Sequence, residues 1–224
     1  MTKRVLLLKP GVTSSKAVLG DYEAWFARAS GAQMHPVELH AGERAPGAGA
    51  FDAVIMTGSP LTVTQPVAWM ERAADYLLEV AAQGTPVLGV CFGHQLLAWR
   101  AGAKVVRNPK GRELGTVSVE LTPSGLGSPL FADFPQRFEV QATHEDMVVA
   151  GPGLAVLATN AHCEVQAFAL GPRTFGVQFH PEMDATSIGY CIGSQDTRDE
   201  DRAAAVARES DWGAALLRRF LELS

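Results

Sequence analysis

The chain has 224 residues, of which 47% are hydrophobic and 19% are charged, and its formal net charge is −5. This length and composition are typical of a globular protein and exclude a disordered or collagen-like chain. The negative charge, with no long basic run, argues against nucleic acid or an anionic membrane as the main partner. No stretch approaches the roughly 20 apolar residues of a transmembrane helix, so we expect no membrane insertion.

The beginning of the chain and its cysteines indicate the compartment. The stretch "MTKRVLLLKPG" is better interpreted as a first buried strand than as a signal peptide, because its apolar core spans only residues 5–8. Cys91, Cys163 and Cys191 form no spaced framework, and an odd number suits a reducing environment. We therefore expect a cytoplasmic protein.

Strand and helix patterns alternate along the first half of the chain. Strands are predicted, in chain order, at "RVLLL", "MHPVEL", "FDAVIM" and "PVLGV". Helices are predicted at "GDYEAWFARASG", "VAWMERAADYLLEVAAQG" and "HQLLAWRAG", each followed or closed by glycine. This alternation predicts βαβ units and a parallel sheet covered by helices on both faces.

The second half has a different pattern. Short alternating runs at "GTVSVELT", "FEVQATH", "LAVLATN", "VQAFAL" and "TFGVQFHP" predict hairpins, added to the same sheet or forming a small second layer. The charged residues 194–210 are interpreted as a solvated surface segment rather than a binding element. A last amphipathic helix, "DWGAALLRRFLELS", follows Asp211 as N-cap. We expect one α/β domain over residues 1–224, with a mostly parallel central sheet flanked by helices.

Residues 85–102, "TPVLGVCFGHQLLAWRAG", place Cys91 between Gly89 and Gly93, where a strand gives way to a helix. A buried cysteine is usually only a small hydrophobic residue. The pattern G-x-C-x-G nevertheless fits a nucleophile elbow, whose sharp turn needs small neighbours and projects the thiol at the carboxyl end of the sheet. The N-terminus of the following helix would favour the thiolate. Both interpretations stay open on this pattern alone.

A thiolate nucleophile needs a base, and the base needs an orienting partner. The stretch "FGVQFHPE" offers His180 and Glu182, which face the same side if the chain is extended. Pro181 biases His180 towards that extended conformation. Glu182 could then accept a hydrogen bond from one imidazole nitrogen and leave the other for Cys91. The alternative is a structural histidine beside an exposed glutamate.

The motifs "GVCFGHQLLA" and "GVQFHPE" together resemble those of the class I (triad) glutamine amidotransferases. "VIMTGSP" and "KGRELGTVSVEL" are similar to further segments of that family in the same order, so the motif-bearing core covers about residues 50–183. The resemblance implies a flavodoxin-like α/β fold of the class I amidotransferase type. Within the family, the chain is similar to stand-alone γ-glutamyl peptidases and to the glutaminase domain of GMP synthase.

The resemblance also implies roles for individual residues. Cys91, His180 and Glu182 correspond to a catalytic triad, in which Cys91 forms a γ-glutamyl thioester and His180 protonates the departing ammonia. The backbone N–H groups of Phe92 and Ser59 correspond to an oxyanion hole. The implied substrate-binding positions are Gly58, Gln95 and the recognition loop "ATHEDMV", with Thr143, His144, Glu145 and Asp146.

Two positions depart from the family pattern. Ser59 brings a side chain where many members have a second glycine, and Glu145 follows the loop histidine where glycine is common. Because a charge at residue 145 alters what the pocket accepts, we expect γ-glutamyl donors other than glutamine. The other histidines show no metal-ligand spacing and no phosphate-binding motif is present, so we expect neither a metal nor a cofactor.

Three hypotheses about function follow from the resemblance. The first is a stand-alone glutamine amidotransferase, or a glutaminase subunit whose ammonia-accepting synthetase is a separate chain. The second is a γ-glutamyl peptidase or hydrolase with the same thioester chemistry. The third is a non-catalytic binding or regulatory subunit, which the intact Cys91, His180 and Glu182 disfavour.

Overall fold

The computed structural model describes residues 2–151, 153–194 and 197–224. Its strands are β1 (Arg4–Lys9), β2 (Gln33–Glu38), β3 (Ala53–Met56), β4 (Val87–Val90), β5 (Val105–Arg107), β6 (Glu113–Leu121), β7 (Arg137–His144), β8 (Asp146–Val148), β9 (Ala155–Thr159), β10 (Ala167–Gly171) and β11 (Thr174–Val177). Its α-helices are α1 (Lys16–Leu19), α2 (Tyr22–Ser30), α3 (Ala68–Ala82), α4 (Phe92–Arg100), α5 (Pro123–Leu126), α6 (Ala185–Gly193), α7 (Asp199–Ala204) and α8 (Trp212–Glu222). Within these ranges, no helix has the length and apolar character needed to cross a membrane.

In the described part of the chain, nine strands form one sheet in the order β2-β1-β3-β4-β11-β10-β9-β6-β7. The neighbours from β2 to β11 run parallel, and those from β11 to β7 run antiparallel. The chain is therefore a single α/β domain with a mixed sheet that is parallel in its first half. This confirms the predicted fold class, and the hairpins join the main sheet rather than a second layer.

Strand β1 shows how the sheet is buried on both faces. Val5 and Leu7 belong to one apolar cluster, which also contains residues of α2 and α8. Leu6 and Leu8 belong to a second cluster, with residues of α3 and α4. Successive side chains on a strand point to opposite faces, so a strand covered on both sides needs a continuous apolar run such as "VLLL".

Strands β5 and β8 and helix α6 lie where the sequence patterns predicted no element, as do the four-residue helices α1 and α5. Strands β5 and β8 pair antiparallel in a separate small sheet, with Arg107 opposite Asp146. Each has three residues, which is too short for alternation to be visible. Helix α6 begins at a capping box formed by Asp184 and Ser187, and its two glycines weaken the helical pattern.

The charged residues 194–210 are only partly a solvated segment. Residues 195 and 196 lie outside the described residues. Helix α7 is mostly exposed, and Arg198 pairs with Asp201 at its start, which fits the predicted surface position. The part after α7, however, is attached to the sheet, because the Thr116 N–H donates to the Val206 O at 2.7 Å.

Lys9 ends β1 with a fully buried side chain. Its Nζ lies 2.8 Å from a carboxylate oxygen of each of Asp21, Glu23 and Glu38. Burial disfavours the Lys9 charge, but these carboxylates outweigh burial and raise the pKa of Lys9. Burial also disfavours the Asp21 charge, but hydrogen bonds from Lys9 and from the Tyr22 N–H outweigh it and lower the pKa of Asp21. The cluster fixes the start of α2 to the carboxyl end of β1.

We expect Lys9→Met to lower the free energy of unfolding by about 3 kcal/mol, because it removes the buried ammonium group that pairs with the buried Asp21 carboxylate. Since the pKa of Asp21 is lowered in the folded state, this stabilisation is present at neutral pH and is lost as the pH falls through the folded-state pKa. Urea unfolding followed by circular dichroism, at neutral and at acidic pH, measures the difference.

Lys16→Met is the matched control for this prediction. Lys16 also contacts Asp21, at 3.1 Å, but its side chain is 54% exposed. An exposed pair contributes at most about 1 kcal/mol. Equal losses in the two variants would contradict the idea that burial of Lys9 makes its pairing important.

Candidate active site

Two parallel strands bring Cys91 and His180 to one edge of the sheet. Strands β4 and β11 are neighbours, with Val90 opposite Val177. The Cys91 N–H donates to the Val177 O at 2.9 Å. Cys91 directly follows β4, and His180 lies shortly after the end of β11. Because the carboxyl ends of adjacent parallel strands meet at one edge, where open α/β folds bind ligands, both side chains reach the same place.

Cys91 occupies a strained turn between β4 and α4. Its backbone has φ 50° and ψ −99°, a conformation that residues with a Cβ rarely adopt. A Cβ on Gly89 would lie 2.4 Å from the Gly93 O, and a Cβ on Gly93 would lie 2.6 Å from the Met56 O. Both positions therefore require glycine for the turn to close, as in a nucleophile elbow.

His180 and Glu182 meet in a turn rather than on an extended strand. Strand β11 ends at Val177, and the Met183 N–H donates to the His180 O at 3.3 Å. Pro181 suits the second position of such a turn, which differs from the extended backbone expected from the sequence. His180 Nδ1 donates to Glu182 Oε1 at 2.8 Å, and the two residues are only 3% and 2% exposed. The turn thus forms a buried imidazole–carboxylate pair.

The His180 ring lies beside both Glu182 and Cys91. A Cβ on Gly58 would be 2.7 Å from His180 Cε1 and 3.4 Å from Cys91 Cβ, so the ring and the cysteine flank the same glycine. Burial disfavours the imidazolium, but the negative charges of Glu182 and Cys91 outweigh burial and raise the pKa of His180 well above its usual range. Side-chain hydrogen bonding with Cys91 contributes to the same rise, and since Nδ1 is bonded to Glu182, Nε2 is the ring nitrogen left for Cys91. This nitrogen is therefore available to exchange a proton.

The two backbone groups predicted to form an oxyanion hole are available near the elbow. Phe92 is the first residue of α4, and N–H groups in the first turn of a helix have no acceptor within the helix. Neither the Phe92 N–H nor the Ser59 N–H donates to a protein group within the described ranges. The Ser59 hydroxyl accepts from the Leu61 N–H at 3.2 Å. The role of these two N–H groups as an oxyanion hole stays a prediction.

Gln95 lies in the first turn of α4 and is buried at the cleft. Its Nε2 donates to the Asp146 O at 3.1 Å and to Gln178 Oε1 at 3.2 Å. The amide NH₂ has two hydrogens, so both are used within the protein. Its Oε1 makes no hydrogen bond within the described part of the chain, and substrate binding by Gln95 stays a prediction.

The predicted recognition loop lines the cleft, but both ring nitrogens of its histidine are hydrogen-bonded within the protein. Cleft-lining residues of the loop are Thr143, His144, Glu145 and Asp146. His144 Nε2 faces Glu113 Oε2 at 2.8 Å, and Nδ1 faces the Asp146 O at 2.9 Å. Burial disfavours the Glu113 carboxylate, but hydrogen bonding with His144 outweighs burial and lowers the pKa of Glu113. The His144 ring therefore holds the shape of the loop.

The cleft beside Cys91 has a volume of about 550 Å³ and is lined by two arginines that the motif analysis missed, Arg107 and Arg112. Arg107 pairs with Glu145 at 2.5 Å. Arg112 donates to Thr143 Oγ1 at 2.8 Å and contacts no carboxylate in the described part of the chain. Arg112 lies within the motif "KGRELGTVSVEL", which could have revealed it. The position of Arg107 depends on the β5–β8 pairing, for which the sequence has no signal.

Comparison with known proteins connects this geometry to a family. The model of the family described as "Glutamine amidotransferase class-I" matches residues 26–194. The glutamine-hydrolysing GMP synthase of Aeropyrum pernix is 40% identical over 137 residues, which cover 61% of this chain and 25% of that protein. A glutamine-hydrolysing GMP synthase subunit of Saccharolobus solfataricus is 37% identical over 144 residues, covering 63% of this chain and 73% of that relative. The chain thus matches only a quarter of the Aeropyrum protein.

A solved structure agrees with the fold. The crystal structure of a glutamine amidotransferase from Thermotoga maritima has a TM-score of 0.80 and 23% sequence identity, over 99% of this chain and 97% of that one. The range matched by the family model includes both the elbow at Cys91 and the turn with His180 and Glu182. The chain belongs to the class-I glutamine amidotransferase family.

Proposed function

We propose that this chain hydrolyses the side-chain amide of glutamine through a γ-glutamyl thioester on Cys91, as a stand-alone glutamine amidotransferase or as its glutaminase subunit. The observation that carries the proposal is the strained Cys91 at a helix N-terminus beside the buried His180–Glu182 pair. Family membership and the glutamine-hydrolysing relatives support an enzyme over a non-catalytic binding or regulatory subunit.

The first half of the proposed reaction forms the thioester. The Cys91 thiolate attacks the side-chain carbonyl carbon of glutamine, a carbon–sulfur bond forms, and the carbonyl electron pair moves onto oxygen. The N–H groups of Phe92 and Ser59 would stabilise this oxyanion. When it collapses, the carbon–nitrogen bond breaks and His180 Nε2 gives its proton to the departing nitrogen, which leaves as ammonia.

The second half releases glutamate. A water molecule loses a proton to His180 Nε2 and adds to the thioester carbon, and the carbon–sulfur bond then breaks. This restores the thiolate of Cys91 and the imidazolium of His180. Glu182 keeps the ring in one orientation and stabilises its positive charge throughout, which is the role expected of a carboxylate bonded to Nδ1.

We assign the polar groups of the cleft to the two ends of the substrate backbone. An α-amino group needs acceptors, which Gln95 Oε1 and the Asp146 carboxylate supply. An α-carboxylate needs a cationic donor without its own carboxylate partner, which describes Arg112. Gly58 keeps the space beside the His180 ring open, because any side chain there would clash with the imidazole.

The destination of the ammonia is a second part of this proposal. The Saccharolobus relative is named as one subunit of its enzyme, and this chain matches only a quarter of the Aeropyrum protein. These facts support transfer of ammonia to a synthetase on a separate chain. Cys91, Cys163 and Cys191 are free thiols, and a free nucleophilic thiol is compatible with the reducing cytoplasm.

The test is to incubate the purified chain with glutamine and to measure ammonia and glutamate. We expect both products in equal amounts, and covalent addition of a diazoketone analogue of glutamine at Cys91. The analogue reports thioester chemistry even if turnover requires a synthetase. Absence of glutamine turnover together with an unmodified Cys91 would overturn the proposed function.

The cleft also favours a second candidate, a γ-glutamyl peptidase or hydrolase. Its volume of about 550 Å³ lies within the range of about 300–1,000 Å³ for sites of drug-sized ligands. Arg107 and Glu145 form an ion pair in its lining. The thioester chemistry requires only a γ-glutamyl carbonyl with an amine leaving group. The cleft is therefore large enough for a leaving amine larger than ammonia, and Arg107 and Glu145 could pair with a charged group on that amine.

We expect the isolated chain to hydrolyse at least one γ-glutamyl dipeptide, and Glu145→Gly to favour donors whose leaving amine carries a carboxylate. The substitution frees Arg107 from its carboxylate. The kcat/KM for γ-glutamylglycine should rise relative to glutamine by about fivefold, the scale of one exposed ion pair. Ammonia, glycine and glutamate release measure these ratios.

Two controls make this prediction specific. With γ-glutamylethylamide, whose leaving amine has no carboxylate, Glu145→Gly should give no gain relative to glutamine. In a chain that already carries Arg107→Gln, Glu145→Gly should leave the γ-glutamylglycine ratio unchanged. If no γ-glutamyl dipeptide is cleaved, the peptidase candidate is wrong and the glutaminase proposal stands alone.

A further inference from the structure

The turn that carries His180 and Glu182 rests on a part of the chain outside residues 26–194, the range matched by the family model. Gly213, in the first turn of α8, lies directly behind Pro181. A Cβ on Gly213 would be 2.8 Å from the Pro181 O and 3.0 Å from the Pro181 Cα. Favourable contacts between carbon atoms lie at about 3.5–4.0 Å. A side chain at residue 213 would therefore push against the turn.

Gln141 ties the same turn to the segment that precedes α8. Its backbone O accepts the His180 N–H at 2.7 Å, and Gln141 is only 2% exposed. Its Nε2 donates to the Arg208 O at 2.9 Å, and its Oε1 accepts from the Thr116 hydroxyl at 2.8 Å. One residue thus contacts His180 through its backbone and the C-terminal segment through its side chain.

Thr116 completes the attachment of this segment to β6. Its hydroxyl accepts the Arg208 N–H at 2.8 Å, and its own N–H donates to the Val206 O at 2.7 Å. The neighbouring Gly115 has φ +110°, and a Cβ there would lie 2.7 Å from the Val206 O. The segment therefore lies directly against the strand backbone, held by directional and partly buried hydrogen bonds.

We propose that residues 205–213, here called the backing segment, position the His180–Glu182 turn for the chemistry at Cys91, with Gly213, Gln141 and Thr116 as positioning residues. These three residues do not line the cleft beside Cys91, so they act through the turn. The proposal rests on the proposed function for its catalytic consequence. The position of the turn itself is measurable without any turnover.

Gly213→Ala is the direct test. Alanine favours helix over glycine, so an effect through helix stability alone would improve folding. Displacement of the turn should instead lower kcat for glutamine at least about tenfold while KM stays within about twofold, because misplacement by about 1 Å can cost on the order of 100-fold in rate. Gly193→Ala is the matched control, since Gly193 is in α6 and has open space around its Cβ position. It should behave as wild type.

The second readout is the protonation of His180, followed by NMR over a pH range. The titratable groups that interact with the ring are Glu182 in the same turn, Cys91 at the start of α4 and Cys191 on α6, and Tyr22 on α2 interacts with all three of these groups. Burial raises the pKa of Tyr22 and of Cys191, so both stay neutral. Because Glu182 moves with the turn, displacement of the turn changes the position of the ring relative to Cys91, whose charge helps to raise the pKa of His180, so His180 should lose its proton at lower pH in Gly213→Ala than in wild type.

Two variants of Thr116 test whether the backing segment positions the His180–Glu182 turn, even if Gly213→Ala does not fold. Thr116→Val removes the hydroxyl that binds Arg208 and Gln141, whereas Thr116→Ser keeps it. We expect His180 to lose its proton at lower pH and kcat to be lower in Thr116→Val. In Thr116→Ser, both the titration of His180 and kcat should match wild type. An unchanged His180 titration in Gly213→Ala or Thr116→Val would overturn the proposal, whatever the activity. If wild type hydrolyses no glutamine and the diazoketone analogue leaves Cys91 unmodified, the proposed function fails, but the titrations still decide the role of the backing segment.

Discussion

Cys91→Ala should remove glutamine hydrolysis, with kcat lower by about 10⁴-fold or more, because the reaction then has no nucleophile. In the wild-type protein, a diazoketone analogue of glutamine should add one mass equivalent at Cys91 and leave Cys163 and Cys191 unmodified. The thiolate is the reacting form of cysteine. Burial raises the pKa of the Cys163 thiol to about 12 and also raises the pKa of Cys191, so neither thiol ionises near neutral pH.

Cys191→Ala is the matched control for this first prediction. Cys191 lies in α6, partly buried and close enough to His180 for the imidazolium charge to act on the thiol. Its replacement removes a thiol near the site without removing the elbow, so activity and labelling at Cys91 should persist. Ammonia release and peptide mass spectrometry measure the two effects. Labelling spread evenly over the three cysteines would show that the turn at Cys91 confers no special reactivity.

Much of the fold could be predicted because buried strands appear in the sequence as apolar runs and helix ends appear as glycines. The run "VLLL" in β1 and the glycine after α2, which adopts φ 73°, follow from local chemistry. Strands β5 and β8 could not be predicted, since each has three residues and depends on a partner about 40 residues away for its pairing. Their pairing brings Arg107 to the cleft beside the recognition loop. The Arg107 side of the cleft is thus the least visible in the sequence.

The candidate site also has some features that the sequence predicts locally and others that depend on contacts between distant residues. The need for glycine at residues 89 and 93 is local, because both surround one sharp turn, and the sequence pattern predicted it. The need for glycine at residue 58 arises from contact with the His180 ring, more than a hundred residues away in the chain. The contact of Gly213 with Pro181 is likewise invisible without the fold. Sequence patterns therefore predicted the candidate triad, including Glu182, but not the contacts of residues 58 and 213 with the turn.

The second large effect concerns the imidazole. His180→Ala should lower kcat for glutamine by about 10³-fold, the range for losing a general acid–base group. Glu182→Gln should cost much less, because His180 Nδ1 can still donate to an amide oxygen at the same position. The first change removes the proton carrier, and the second removes only the charge that stabilises and orients it. Steady-state ammonia release at saturating glutamine measures both losses.

The pH dependence of kcat separates these two roles. In the wild-type protein, Glu182 and Cys91 raise the pKa of His180 despite its burial, so the imidazolium that we propose as the proton donor to the departing nitrogen persists above neutral pH. Without the Glu182 charge this pKa falls, and the alkaline limb of the kcat profile in Glu182→Gln should move to lower pH. Glu79→Gln, at an exposed position on α3, should leave the limb in place. If Glu182→Gln leaves it in place as well, the carboxylate does not control the charge of His180, and the buried pair only stabilises the turn.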